Sequence, residues 1–332
     1  VFPAGGTEAN TLAVLGAVRA GTCPARVVTT AIEHSSVLGP ARRAEREGHE
    51  LRVVGVDAEG LPDLERIAAE ALGAPRAGGA GMAADNEIGT GPPIGELARD
   101  LSATRPGRGG ARVVLATDAV QALGRIPVPL HGWGVDLAAF SAHKLGGPVG
   151  SGLLYRRRGV ALEPLFYGGG QEEGLRPGTE AAAAASATAL AIELAIAERE
   201  SYARHAHACA RALWDGVRES GLGFRLLGPP LATDDAFERT ASDGPPTRLP
   251  GTINLLAPDL DGKVLVTRLD LAGLQVSAGS ACASGSLEPS HVLLAMGMDE
   301  DRARAGLRFS IGRETTLGDV RQAVDILRKT LR

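Results

Sequence analysis

Cysteine is scarce in this chain: there are three in 332 residues, at Cys23, Cys209 and Cys282. An odd number without metal-ligand spacing excludes a disulfide framework and suits a reducing cytoplasm. No metal site is expected. Long apolar runs are missing too, so no segment reads as a membrane span. A strong excess of one charge is also lacking. The net charge is −4, which gives nucleic acid or an anionic membrane no hold. No signal peptide is visible in the sequence as given, which starts so abruptly that a further N-terminal segment is expected. What is present is ordinary for a globular enzyme: 44% hydrophobic and 22% charged residues. The length favours two domains over one core.

The stretch that organises the chain is Val135–Lys144, VDLAAFSAHK. Leu137–Phe140 is a short apolar run of the buried-strand kind. It ends in Ser141, Ala142, His143 and Lys144, and a glycine turn follows. In open α/β sheets ligands bind beyond the carboxyl ends of strands. A lone lysine there is ordinarily a solvated surface group. Upstream, however, a second apolar strand, Val113–Thr117, delivers Asp118. A lysine and a carboxylate at two strand ends suit pyridoxal phosphate (PLP). The lysine would form the Schiff base and the aspartate would partner the pyridinium nitrogen. Asp118 as an anion keeps that nitrogen protonated through opposite charge.

Other segments add to this pattern. GGTEAN precedes an apolar-periodic stretch, so Gly6 and Thr7 sit at a helix start, where N–H groups and the dipole favour phosphate. A strand over Arg26–Ile32 ends at Glu33 and His34, ahead of a helix over Ser35–Glu47. His49 reads as a surface residue. Leu51–Val56 is a strand. Ala80–Ala84 is a poor strand former ahead of Asp85 and Asn86. Gln121 reads as an exposed helix residue, and Arg156–Arg158 as a solvated turn. Ala181–Arg218 is a long alanine-rich helical stretch with at most one break expected. His205, His207 and Cys209 on it alternate between helix faces, which disfavours a metal site. Leu226–Leu249, rich in Pro, Asp and Thr, reads as a surface excursion. Cys282 lies in QVSAGSACASGS, a small polar segment that buries poorly and suggests mobility and a chemical role for an exposed thiol. Arg308, among apolar residues of an alternating strand, needs either a substrate carboxylate or an internal salt bridge.

GGTEAN, AIEHSSV, DNEIG, TDAVQALG, FSAHK, LRPGTE and SAGSACASGSLEPSHVL, in this order along the chain, resemble the cysteine desulfurases, fold-type I PLP enzymes of the class V aminotransferase group. The resemblance runs nearly end to end, and its long cysteine loop matches the family's group with a flexible catalytic loop. It implies a mainly parallel seven-stranded-type sheet in a large α/β domain (1–199). A smaller α+β domain (200–332) would carry the cysteine loop. By that resemblance Gly6, Thr7 and Ser141–His143 hold the PLP phosphate. His34 stacks on the ring and relays protons. Asn86 contacts cofactor and substrate carboxylate, Gln121 the phenolic oxygen, and Arg308 the carboxylate. Thr179 reaches the phosphate of the other subunit in a homodimer. Lys144 removes the Cα proton, and Cys282 takes the sulfur of L-cysteine as a persulfide, leaving L-alanine. An acceptor protein for iron–sulfur clusters, thio-cofactors or tRNA thiolation then receives it. A selenocysteine lyase, another enzyme of the same fold and a catalytically silent partner are the alternatives.

Two features depart from the family pattern. Asp85 stands where the first of a pair of asparagines is usual. The pattern also has a strand, substrate-side residues and a second arginine ahead of GGTEAN, so the chain as given is expected to be poorly active or unstable alone.

Overall fold

The computed structural model describes residues 1–21, 24–74, 77–103, 113–233, 237, 247–258, 261–279 and 288–331. Two compact units emerge. The first comprises Val1–Gly55, Pro62–Ala84 and Pro92–Glu198; the second comprises Val56–Leu61, Asp85–Gly91 and Arg199–Arg332.

The first unit is built on strands β1 (Arg26–Thr30), β2 (Glu50–Val54), β3 (Ala77–Met82), β4 (Val114–Asp118), β5 (Leu137–Ser141) and β6 (Gly152–Arg156). They lie in the order β2-β1-β3-β4-β5-β6. All neighbours are parallel except β6, which runs antiparallel to β5. The α/β class and the mainly parallel sheet are as expected. The described residues supply six strands rather than seven. Every residue of β5 is buried, as parallel sheets covered on both faces require. Ala9, Leu12 and Ala13 pack onto Ala116, Leu137, Ala139 and Leu154, so the helical stretch from Gly6 is seated on β4 to β6.

β3 begins earlier than its composition suggests. AGGAGM has little strand propensity, yet it pairs with β1 on one side and β4 on the other. A central position, with ladders on both edges, outweighs the propensity of the side chains. The helix Ser35–Arg46 starts at His34, whose ring accepts the Ser36 N–H. Asp63 caps the helix Leu64–Leu72 by accepting from the Arg66 N–H. The long helical stretch is broken once, into Ala182–Ala197 and Arg199–Glu219.

The second unit holds an antiparallel sheet of β7 (Arg225–Leu227), β8 (Thr252–Leu256), β9 (Ser277–Ala278) and β10 (Gly306–Ser310), ordered β7-β8-β10-β9. Its core joins Leu213 and Val217 of the helix Arg199–Glu219 to Ile253, Leu255, Leu307 and Leu327. No helix among the described residues is long and apolar enough to cross a membrane.

Three expectations need correction. Leu226–Leu249 is not simply a surface excursion: Leu227 belongs to β7, and Arg248 and Leu249 are buried. Arg248 donates to the carbonyls of Pro229, Ile88, Thr252 and Leu227. These contacts let a buried guanidinium replace a solvated one, and burial still lowers its pKa to about 10. The arginine turn is not simply solvated, because Arg156 pairs with Glu173 and Arg157 with the buried Asp136. His49 is half-buried and accepts the Ala25 N–H at 3.0 Å.

Candidate active site

The ends of β4 and β5, together with the start of the helix Gly6–Thr11, place most of the residues anticipated in the first unit. No side chain caps that helix at Gly5. Its first N–H groups therefore need a partner from elsewhere. A Cβ added at Gly6 would come within 2.9 Å of Val120 Cγ2 and 3.3 Å of Ser141 Cβ. Only glycine lets the helix start approach the strand ends this closely. Ser141 is buried and its hydroxyl bonds His143 Nδ1 at 2.8 Å. Burial, followed by the charge of Lys144, pushes the His143 imidazole below its ordinary pKa. Ala142–Leu145 forms a short 3-10 turn, so Lys144 stands one turn beyond β5 and is exposed.

Asp118 is the last residue of β4 and is buried. Its Oδ1 accepts the Val120 N–H at 3.0 Å, and its Oδ2 accepts from Asn10 Nδ2 at 2.7 Å. Burial raises its pKa; the Val120 N–H, the Asn10 amide and, when it is protonated, His34 oppose that rise. Asn10 was not apparent as a site residue in the sequence. It stands four residues after Gly6, on the same helical face, and that spacing was the available signal. Its amide also donates to Ser36 Oγ at 2.9 Å, and Ser36 Oγ lies 2.7 Å from His34 Nδ1.

Thr7 is exposed, and its carbonyl accepts from the Thr11 hydroxyl. Gln121 is half-buried rather than exposed, and its side-chain oxygen is taken by Arg125. That leaves its amide N–H groups as the end suited to an oxygen acceptor. Thr179 is exposed and precedes the helix Ala182–Ala197 by three residues.

In the second unit Arg308 and Asn86 meet: Arg308 Nη1 donates to the Asn86 carbonyl at 2.7 Å. Asp85 and Glu87 are buried on either side of Asn86. Asp85 Oδ1 accepts the N–H groups of Glu87 and Ile88 at 2.8 and 2.6 Å. Burial, then the Glu87 charge, pushes Asp85 up to about 7. Burial also raises Glu87, against the Ser290 hydroxyl bonded to it at 2.5 Å and the charge of Arg308. Cys282 lies outside the described residues, as does Cys23. His205 and Cys209 both approach the Thr315 carbonyl while His207 stacks on Phe237. Among the described residues no group of three or more His, Cys, Asp or Glu is arranged to hold a metal.

These features fit PLP. The uncapped helix start, which Gly6 lets come close against the strand ends, suits a phosphate. The buried acceptor Asp118 suits a protonated ring nitrogen, and Lys144 supplies an amine.

A family model described as aminotransferase class-V matches residues 1–323. A mitochondrial cysteine desulfurase of Arabidopsis thaliana is 38% identical over 329 residues, covering 98% of this chain and 67% of its own length. Cysteine desulfurase IscS 1 of Archaeoglobus fulgidus is 34% identical, covering 98% of this chain and 79% of its own. Among solved structures, a NifS-like protein aligns over 100% of this chain and 82% of its own, with TM-score 0.85 and 29% identity.

Proposed function

The chain belongs to the class-V aminotransferase family, within its cysteine desulfurases, and from that premise we propose that it takes sulfur from L-cysteine with PLP and the thiol of Cys282. The observation that supports this most strongly is the grouping of the glycine-cleared helix start, buried Asp118 and Lys144 at the strand ends.

PLP, when bound, supplies an electron-withdrawing ring that eases removal of a proton from Cα of the amino acid. Gly6, Thr7, Ser141 and His143 would hold its phosphate, Lys144 its aldehyde carbon, Asp118 its ring nitrogen and Gln121 its phenolic oxygen. Lys144 Nζ then serves as the base for the Cα proton. Arg308, beside Asn86, would bind the substrate carboxylate through its guanidinium fork. His34 would lie against the ring and move protons at Nε2. The Cys282 thiolate attacks the substrate sulfur: an S–S bond forms as the Cβ–S bond breaks. L-cysteine and the enzyme thiol become L-alanine and an enzyme persulfide, with no outside oxidant or reductant. An acceptor protein then takes the sulfur. A reducing compartment such as the cytoplasm keeps the thiol available.

Two copies would associate through the first unit. Leu190 and Leu194, one turn apart on the helix Ala182–Ala197, are 56% and 49% exposed. An apolar helix face of this kind is ordinarily covered. Thr179, just ahead of it, would then serve the partner's cofactor. Leu194→Arg should turn a dimer into a monomer by analytical ultracentrifugation; an unchanged dimer excludes this face.

The test of the reaction uses PLP-loaded protein and L-cysteine. The parent should form alanine, and sulfide when a thiol reductant is added. Lys144→Ala should form neither, and borohydride should no longer fix a pyridoxyl group to the chain. Alanine production by Lys144→Ala, or a pyridoxyl label on another lysine in the parent, contradicts the assignment.

A further inference from the structure

We propose that Asn10 is a positioning residue: its two amide N–H bonds, one to Asp118 and one to Ser36, hold His34 as the neutral imidazole with its proton on Nε2. Both oxygens of Asp118 accept, Oδ1 from the Val120 N–H at 3.0 Å and Oδ2 from Asn10 at 2.7 Å. Asn10 Nδ2 lies within hydrogen-bond reach of both Asp118 Oδ2 and Ser36 Oγ, so the amide nitrogen, with its two N–H groups, is the end turned toward them. Its second N–H is then directed to Ser36 Oγ, 2.9 Å away. Asn10 is only 3% exposed, so water does not compete easily for either bond.

Ser36 transmits the choice to His34. The Ser36 hydroxyl receives the Asn10 N–H and keeps its own hydrogen for Nδ1 of His34, at 2.7 Å. The Ser36 backbone N–H points at the same nitrogen, at 3.1 Å. Two donors converge on Nδ1, so that nitrogen carries a lone pair and the ring proton sits on Nε2. A proton on Nδ1 would face the Ser36 N–H and be repelled. One buried amide thus sets the carboxylate at the end of β4 and the histidine at the start of the helix Ser35–Arg46 together. Its use in catalysis rests on the proposed function, where His34 gives and retakes a proton at Nε2.

The test reads the imidazole itself, in cofactor-free protein labelled with ¹⁵N-histidine, at a pH where His34 is neutral. Two-bond ¹H–¹⁵N spectra distinguish the tautomers, and His34→Gln identifies the resonance. The parent should show the Nε2–H form. Asn10→Ala and Ser36→Ala should each shift the ratio of tautomers about two- to tenfold toward Nδ1–H, the value of one hydrogen bond. Ser36→Thr, which keeps the hydroxyl, should restore the parent ratio. An Nδ1–H form in the parent overturns the proposal, and so does an unchanged ratio in a folded Asn10→Ala. Where Asn10→Ala does not fold, the Ser36→Ala and Ser36→Thr pair decides: equal ratios in both overturn it. Because no PLP or cysteine is present, this result stands apart from desulfurase turnover, which tests the proposed function by itself.

Discussion

Asp118 and Asp85 are both buried aspartates near the end of a parallel strand, and they are held in different ways. Asp118 ends β4, and each of its oxygens has a donor, one backbone and one side chain. Asp85 comes three residues after β3. Both of its donors are backbone N–H groups on Oδ1, while the buried Oδ2 has no hydrogen-bond partner among the described residues. Desolvation raises both acids. For Asp118 the Val120 N–H and the Asn10 amide oppose it; for Asp85 the charge of Glu87 adds to it, against the Ile88 and Glu87 N–H groups. Burial alone does not make a functional carboxylate. Oriented donors decide whether the charge persists. Asp118 is raised by burial too, but a donor on each of its oxygens stabilises the charged form, an arrangement suited to a ring nitrogen. Asp85 titrates near neutrality and is a cost to the fold.

The contrast breaks most visibly in Asp118→Asn. The side chain keeps its shape and loses its charge, so PLP should still bind while alanine formation falls about 10²- to 10³-fold, the usual loss for one preorganised electrostatic contact. Steady-state kinetics on cofactor-loaded protein checks this. Turnover equal to the parent removes the charge argument.

Asp85→Asn should act in the opposite sense. The Asp85 carboxyl has a folded pKa near 7 against an ordinary value of 3.8. Between those values the folded chain holds a proton that the unfolded chain has released. Stability therefore falls as pH rises through that window, and the full cost is present above it. The asparagine has no such titration. Urea unfolding should show Asp85→Asn more stable than the parent by roughly 1–3 kcal/mol at about pH 8. The difference should shrink toward pH 4 or thereabouts. A parent that is as stable as the variant at both pH values shows that Asp85 is solvated or paired in solution.

The strand leading to Asp85 offers a smaller test. Gly6 has no room for a methyl group, but Gly79 in β3 does: an added Cβ would meet only Leu115 Cδ1, at 3.7 Å. Gly79 also borders a small apolar void lined by Val14, Val18, Val27 and Val114 among others. Gly79→Ala should raise stability by about 0.4–1 kcal/mol by restricting the unfolded chain. Gly6→Ala should instead weaken PLP binding. Thermal unfolding and cofactor titration of the pair separate the two kinds of glycine.

Much of this was legible in the sequence. The five buried residues of β5 and the apolar run of β4 announced themselves, and they carry Lys144 and Asp118 to the strand ends. The full extent of β3 was not legible, because Gly and Ala carry no strand signal and the pairing comes from β1 and β4. Arg248 was hidden for a similar reason. Its carbonyl partners range from Thr252, four residues on, to Ile88, 160 residues back, and no local pattern in a stretch rich in Pro, Asp and Thr announces them. Asn10 was overlooked because an asparagine inside a helix start is ordinarily a local feature. Its partners lie 26 and 108 residues away. Asn86 and Arg308, 222 residues apart, are brought together in the second unit.

The most direct test of the central claim is mass spectrometry of the PLP-loaded chain after one turnover with L-cysteine. The account predicts one alanine released per site and one added sulfur atom on the Cys282 peptide. Cys282→Ser should bind PLP, gain no sulfur and release no alanine beyond background, while Cys23→Ser and Cys209→Ser behave like the parent. Normal alanine and sulfide production by Cys282→Ser would contradict it and point to a lyase that works without a protein thiol.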